Sequence, residues 1–319
     1  MKNQENKNSF FDENVIWRKG IFFLALILCV SPIISAPIAM FIGLVIAQFV
    51  GHPYLSINSK VTSILLKVSV VGLGFGMNIA SAVRAGKEGL TFTVISIISV
   101  LIIGFLIGKF LKIEKKTSYL ISIGTAVCGG SAIAAVSPVI RAKENQISIA
   151  IGTVFILNSI ALFIFPAIGT ALDLSQTQFG MWCAIAIHDT SSVVGAASKY
   201  GEEALEYATT VKLARALWII PLAFLSTFLF KNKGGKIKIP YFIGLFLLAM
   251  IANSYFPFIQ KYNSYLTDIA KVGLKLTLFL IGCGLNNKLI KSVGFKPLIQ
   301  GVTLWILVAV STLWAVLFL

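Results

Sequence analysis

Apolar runs of membrane-spanning length recur along almost the whole chain, and they constrain the fold more than any single motif. A helix needs about 20 apolar residues to cross a hydrocarbon core about 30 Å thick. Runs of that kind, separated by charged or Pro/Gly punctuation, fall at 20–34, 36–51, 59–82, 90–111, 117–140, 144–167, 178–199, 205–230, 239–258, 265–287 and 297–319. The first two are the shortest, around Ser31-Pro32 and Ala36-Pro37. Only 12% of the residues are charged, about half the share of a soluble domain, which leaves little to coat a globular fold. The reading is an all-α polytopic membrane protein of about 10–11 transmembrane helices. One transmembrane domain covers 20–319, after a cytoplasmic tail over 1–19. A cleaved signal peptide is the rival for the first run. Acids in the tail, and apolar sequence continuing past Pro37 without an A-x-A site, favour a retained first helix.

The net charge of +15 invites a nucleic-acid reading, but the placement of the bases explains it better. With a cytoplasmic N-terminus, the inside loops carry 16 of the 27 basic residues: Lys2, Lys7, Arg18, Lys19, Lys60, Lys109, Lys112, Lys115, Lys116, Lys231, Lys233, Lys236, Lys238, Lys288, Lys291 and Lys296. The outside loops carry seven, namely Arg84, Lys87, Arg141, Lys143, Lys199, Lys261 and Lys271. That is the positive-inside bias of a membrane protein. Four cysteines, Cys29, Cys128, Cys183 and Cys283, stand singly in apolar segments with no disulfide or metal spacing. No cofactor is expected.

An internal repeat is visible. Residues 67–78 read KVSVVGLGFGMN and residues 275–286 read KLTLFLIGCGLN. At an offset of 208, Lys67 meets Lys275, Gly74 meets Gly282, Gly76 meets Gly284 and Asn78 meets Asn286. Upstream, FIGL at 41–44 resembles FIGL at 242–245. The third segment thus matches the tenth, and an odd separation gives the two copies opposite orientations. Inverted repeats are a hallmark of secondary transporters. Lys67 and Lys275 occupy matching depths and read as snorkelling side chains.

Two stretches are unsuited to plain lipid-facing helices. In GTAVCGGSAIAAVSP, residues 124–138, Gly129-Gly130 sits mid-segment. A helix break there would aim amide groups near Ser131 at a ligand, and a half-helix N-terminus favours anions. Close packing through small residues is the other reading. In AIAIHDTSSVVGAAS, residues 184–198, Asp189 is the one acid deep in an apolar segment, next to His188 and the hydroxyls of Thr190, Ser191 and Ser192. An intramembrane acid marks a functional site by default, and histidine changes charge near neutral pH. Structural pairing with a buried base is the alternative.

The next segment supplies candidate partners. Lys212 and Arg215 are three apart and share a helix face. An Arg fork suits oxyanions and a Lys acts as a point charge; both could instead snorkel. Asn158 is the main polar residue midway through its segment. Catalysis is not expected. His188 and Asp189 are neighbours and would point about 100° apart on a helix, and no HExxH, GxSxG or Walker-type motif is present.

VGLGFGMN, GTAVCGGSAIAAVSPVI, AIHDTSSVVGAA and VKLAR at 211–215 together resemble the sulfate exporter family, bacterial conserved membrane proteins, over roughly 20–319. The resemblance implies a multi-pass inner-membrane protein distantly akin to cation/proton antiporters and bile-acid/sodium symporters. Those have inverted repeats, a panel domain, and a core domain of helices broken at the membrane centre. It places Cys128, Gly129, Gly130 and Ser131 in one motif, His188, Asp189, Thr190 and Ser191 in a second, and Lys212 and Arg215 in a third. In the relatives the two broken helices are themselves repeat-related, whereas the repeat visible here pairs the third segment with the tenth.

The expectation is a secondary transporter of a small anion such as sulfate, sulfite or an organosulfonate. Cys128, Gly129, Gly130, Ser131, Thr190, Ser191, Lys212 and Arg215 would bind it. His188, Asp189 and Asn158 would handle a coupling proton or sodium ion. A cation/proton antiporter, a membrane enzyme with His188 as base, and a passive channel are the rivals. The partners are the anion, the coupling ion and the bilayer, and a homodimer is compatible with the chain.

Overall fold

In the computed structural model, residues 15–230, 241–285 and 293–318 are described. Within them the chain is helical. The helices are α1 (Val15–Val30), α2 (Ala36–Val45, extended by a π turn Ile46–Val50), α3 (Leu55–Gly74), α4 (Ile79–Phe110), α5 (Lys115–Ala126), α6 (Gly130–Val136), α7 (Glu144–Ala171), α8 (Gln176–Ala186), α9 (Thr190–Tyr200), α10 (Glu202–Ala216), α11 (Ile219–Leu229), α12 (Tyr241–Tyr255), α13 (Pro257–Gln260), α14 (Asn263–Gly284) and α15 (Phe295–Phe318). Five are long and apolar enough to cross a membrane, counting α10 and α11 as one. Each of the eleven apolar segments contains helix. The first helix begins at Val15, earlier than expected, so Arg18 and Lys19 lie in its first turns. Lys2, Lys7, Lys231, Lys233, Lys236, Lys238, Asn286, Lys288 and Lys291 lie outside the described residues.

Two of the eleven segments do not cross. The 117–140 segment folds as a helical hairpin, α5 down and α6 back, and its ends meet: Lys116 Nζ donates to Arg141 O at 2.8 Å. The 178–199 segment does the same with α8 and α9. There Tyr200 OH donates to Leu174 O at 2.6 Å, and the Tyr200 ring stacks on Phe179 at 3.8 Å. Limb length is consistent with this arrangement. α5 has 12 residues, about 18 Å at 1.5 Å per residue, which reaches only past the middle of a core about 30 Å thick. Between the hairpins α7 crosses fully, so they enter from opposite ends and their tips meet midway.

The two hairpins are counterparts. At each mouth a non-glycine residue takes positive φ, Lys112 in one and Asp173 in the other. At each the chain turns with matching bonds, Ile113 N–H to Gly108 O and Leu174 N–H to Gly169 O, at 2.9 and 3.0 Å. At each tip the first limb ends on an i→i−4 bond of 3.1 Å, Val127 to Ile123 and Ile187 to Cys183. The tip residues sit 60 apart in sequence, not 208, which is why the linear repeat misses them. The 208 repeat is real in space as well: α3 and α14 lie antiparallel, with Asn58 Nδ2 donating to Leu280 O at 2.9 Å. Gly282 seats α14 on α2, where an added Cβ would come 2.9 Å from Leu44 N. Its partner Gly74 seats α3 on α12, 2.7 Å from Phe246 O. The FIGL-bearing helices α2 and α12 are thus equivalent neighbours.

The hairpins also correct the charge map. Arg141 and Lys143, expected opposite Lys115 and Lys116, share their end of the bundle because α5 and α6 return to it. Among the described residues that basic end carries ten bases: Arg18, Lys19, Lys60, Lys109, Lys112, Lys115, Lys116, Arg141, Lys143 and Lys296. The other end carries Arg84, Lys87, Lys199, Lys261 and Lys271. The bias is stronger than eleven crossings would give. Lys67 and Lys275 are half-buried; the first lies over the Tyr241 ring at 5.6 Å and the second donates to Ser31 O at 2.8 Å.

Candidate functional site

The hairpin tips build the centre of the molecule. After Ala126 the chain leaves the helix, and Gly129, at φ 65° and ψ −127°, is the N-cap of α6. That positive φ suits glycine. Space favours it as well, since a Cβ there would lie 3.2 Å from both Asp189 Cβ and Val154 Cγ1. In the second tip Asp189 is the N-cap of α9. Its Oδ1 accepts from Ser192 N–H at 2.8 Å and from the Ser191 hydroxyl, and its Oδ2 accepts from Ser192 Oγ at 2.8 Å. The deep acid is therefore not paired with a buried base. It caps a half-helix whose N-terminus carries partial positive charge.

The two bases serve the opposite poles. Lys212 and Arg215 on α10 are both fully buried, so neither snorkels. Lys212 Nζ donates to Ile187 O at 2.6 Å, just past the end of α8, and to Ala184 O at 3.2 Å in its last turn. Arg215 Nε donates to Ala126 O at 2.8 Å, the last carbonyl of α5. Cations there satisfy acceptors that a broken helix leaves open and oppose its C-terminal partial charge. One helix face thus caps both hairpins.

His188 and Asn158 form a separate clamp. Asn158 Oδ1 on α7 accepts from the His188 backbone N–H at 3.0 Å and faces His188 Nδ1 at 3.2 Å. The tautomer with its proton on Nδ1 would complete that bond. Both side chains are buried.

A cavity of about 380 Å³ lies against the tips. Cys128, Gly130 and Ser131 from the first tip and Asp189, Thr190 and Ser191 from the second line it. The structure therefore brings together six of the expected residues. Gly129, His188, Asn158, Lys212 and Arg215 are not in that lining; they hold the tips in place from behind. Sequence reasoning missed the remaining polar wall, Asn58, Ser59, Thr62 and Ser63 on α3. Its signal was present as two polar pairs four apart, which share a helix face. These residues come from the basic-end half of α3, as Ile281 and Gly284 do on α14, so the cavity lies toward that end. On the other side of the tips, Thr190–Ala197 of α9 is buried throughout.

Three side chains that are formally charged are buried among the described residues, Asp189, Lys212 and Arg215, a formal excess of one positive charge. Arg215 Nη1 and Nη2, His188 Nε2 and Asn158 Nδ2 have no protein partner there. No group of His, Cys, Asp and Glu suited to a metal occurs among the described residues.

A family described as "Conserved hypothetical protein 698" matches residues 20–301. The chain is 57% identical over 282 residues to a protein of Bacteroides thetaiotaomicron named "UPF0324 membrane protein", covering 88% of this chain and 86% of the relative. Relatives of the same description from Vibrio parahaemolyticus and Bdellovibrio bacteriovorus are 51% and 50% identical. These cover 93% and 94% of this chain, and 97% and 94% of the relatives. No solved structure matches the chain.

Proposed function

The chain belongs to the Conserved hypothetical protein 698 family of bacterial membrane proteins, and from that premise we propose that it is a secondary transporter of a small anion working by alternating access. One observation carries the transport reading: two hairpins from opposite ends of the bundle meet at a cavity displaced toward one end. Irregular backbone at membrane depth is tolerated where it lines a cavity or is buried in protein, and inverted repeats around a midplane site are transporter architecture. By the positive-inside rule the basic end is cytoplasmic, so the cavity belongs to an inward-facing state.

The excess buried positive charge supports an anionic cargo, because an uncompensated charge in a low dielectric costs several kcal/mol and a monoanion offsets it. The first N–H groups of α6 have no partner inside that helix, and Gly130 and Ser131 line the cavity. Cys128, Gly130, Ser131, Thr190 and Ser191 would contact the anion. Lys212 and Arg215 would act on it through the field they hold at the tips. An organosulfonate or bisulfite fits that charge directly, and a dianion such as sulfate or sulfite fits it once a proton or sodium ion has neutralised Asp189. Asp189 sits in the cavity wall, where a proton or sodium ion would neutralise it during each cycle, with His188 and Asn158 fixing its position.

A cation/proton antiporter is the second reading, favoured by the carboxylate and hydroxyls that share the wall. An enzyme using His188 as base is less well supported: both Asp189 oxygens are engaged by Ser191 and Ser192, not by the imidazole. Proteoliposome flux separates the readings. Saturable sulfate or sulfite counterflow supports the anion; sodium-driven proton movement with no anion flux supports the antiporter and contradicts the anion.

A further inference from the structure

A second concavity lies away from the tips, on the flank of the basic end. It occupies about 650 Å³ between α4 and α11, with α5 as its floor. Its walls are apolar: Ile102, Phe105 and Leu106 of α4 face Leu225 and Leu229 of α11, and all five are exposed in the isolated chain. Three lysines stand at its mouth, Lys109 in the last turn of α4, Lys112 in the turn and Lys115 in the first turn of α5. All three are exposed, and Lys115 Nζ lies over the Phe230 ring at 5.3 Å. Among the described residues no acid lines the groove. The acid nearest in sequence, Glu114, is turned away to accept from Gln146 Nε2 of α7.

The groove follows from the hairpin fold. α5 reaches only partway and returns as α6, so it forms a recessed floor between two longer helices. Gly108 deepens the floor, because a Cβ there would strike the Ser118 side chain. From Leu101 to Lys112 the wall rises about 16 Å, close to one leaflet of a core about 30 Å thick.

We propose that this groove is a binding site for an anionic phospholipid of the leaflet at the basic end. The apolar walls take an acyl chain, and Lys109, Lys112 and Lys115 take the phosphate-bearing headgroup. Charge complementarity selects the occupant: a zwitterionic lipid fills the walls equally well but leaves three lysines without a net counter-charge. Each lysine near an anionic lipid surface is worth roughly a fivefold preference. A lipid seated there touches the first limb of the α5–α6 hairpin, whose far end Arg215 caps.

The test uses the full chain in detergent, with native mass spectrometry after adding phosphatidylglycerol, phosphatidylcholine, glycerol phosphate or inorganic phosphate. Phosphatidylglycerol is expected to be retained at least about tenfold over phosphatidylcholine. The triple variant Lys109→Gln, Lys112→Gln, Lys115→Gln loses that preference. Leu106→Trp fills the groove and lowers retention of both lipids with the lysines intact, while Lys261→Gln at the other end changes nothing. Equal retention of the two lipids by the unaltered chain overturns the proposal. So does a preference that survives the triple variant, or glycerol phosphate or inorganic phosphate displacing the lipid at equal concentration. The readout is independent of transport, so it stands or falls separately from the cargo.

Discussion

Gly129 and Asp189 bring the two hairpin tips into contact, and the fit between them is tight: a Cβ on Gly129 would lie 3.2 Å from the Cβ of Asp189. Gly129 is the N-cap of α6 and Asp189 the N-cap of α9, so the contact joins the starts of the two returning limbs at the wall of the cavity.

Gly129→Ala is therefore expected to destabilise the centre. It combines a crowded Cβ with a backbone at φ 65°, and strain of that kind costs of order 1–3 kcal/mol. Thermal unfolding of the purified variant in detergent should show a lowered midpoint, and flux should fall more steeply than folded protein. An unchanged midpoint would mean that the tips are not in contact.

Lys212→Met and Arg215→Met should each destabilise the protein even without substrate. The first removes a donor from two carbonyls at one hairpin tip and the second from one at the other, at a cost of about 1–3 kcal/mol per unsatisfied group. Limited proteolysis should find new cleavage near residues 184–188 for Lys212→Met and near 126–129 for Arg215→Met. If the bases served only to bind cargo, apo stability would not move.

Asp189→Asn keeps an acceptor at the α9 N-cap, where Asn ranks with Asp, so folding is expected to survive. It removes the titratable group from the cavity wall, and proteoliposome flux should lose its dependence on the proton or sodium gradient. Flux with gradient dependence intact would remove Asp189 from ion coupling. Asp189→Ala, which also deletes the cap, should cost about 1 kcal/mol of stability in addition.

Ser59→Cys, placed in a background without the native cysteines, should react with a membrane-impermeant maleimide from the basic end, because it lines the cavity there. A saturating transported anion should slow the reaction. Labelling from the opposite end in the resting protein would contradict the inward-facing assignment.

All eleven apolar segments could be read from the chain, because hydropathy reports burial directly. The hairpins could not. A run such as 117–140 has the length of a crossing, and nothing in its composition says that it turns back at Gly129. Arg141 and Lys143 were the local clue, as bases placed on the sparsely charged side by a count of eleven crossings. The kinship of the two tips was hidden because geometry, not residue identity, is shared: Gly129 stands where Asp189 stands, and Cys128 where His188 stands. Lys212 and Arg215 were legible as deep bases, but their targets are backbone carbonyls of other segments, which carry no sequence signature. The polar face of α3 was visible as Asn58-Ser59 and Thr62-Ser63 and was overlooked because each pair alone resembles an ordinary helix start.

The account rests on the two reversals, and site-directed cysteine accessibility in sealed, right-side-out and inverted vesicles tests them most directly. Lys115→Cys and Arg141→Cys, both exposed positions, are predicted to label from the same side. Asp173→Cys and Lys199→Cys, also exposed, are predicted to label together from the other. Labelling of positions 115 and 141 from opposite sides would make α5–α6 a crossing segment and contradict the meeting of two hairpins on which the proposed transport mechanism depends.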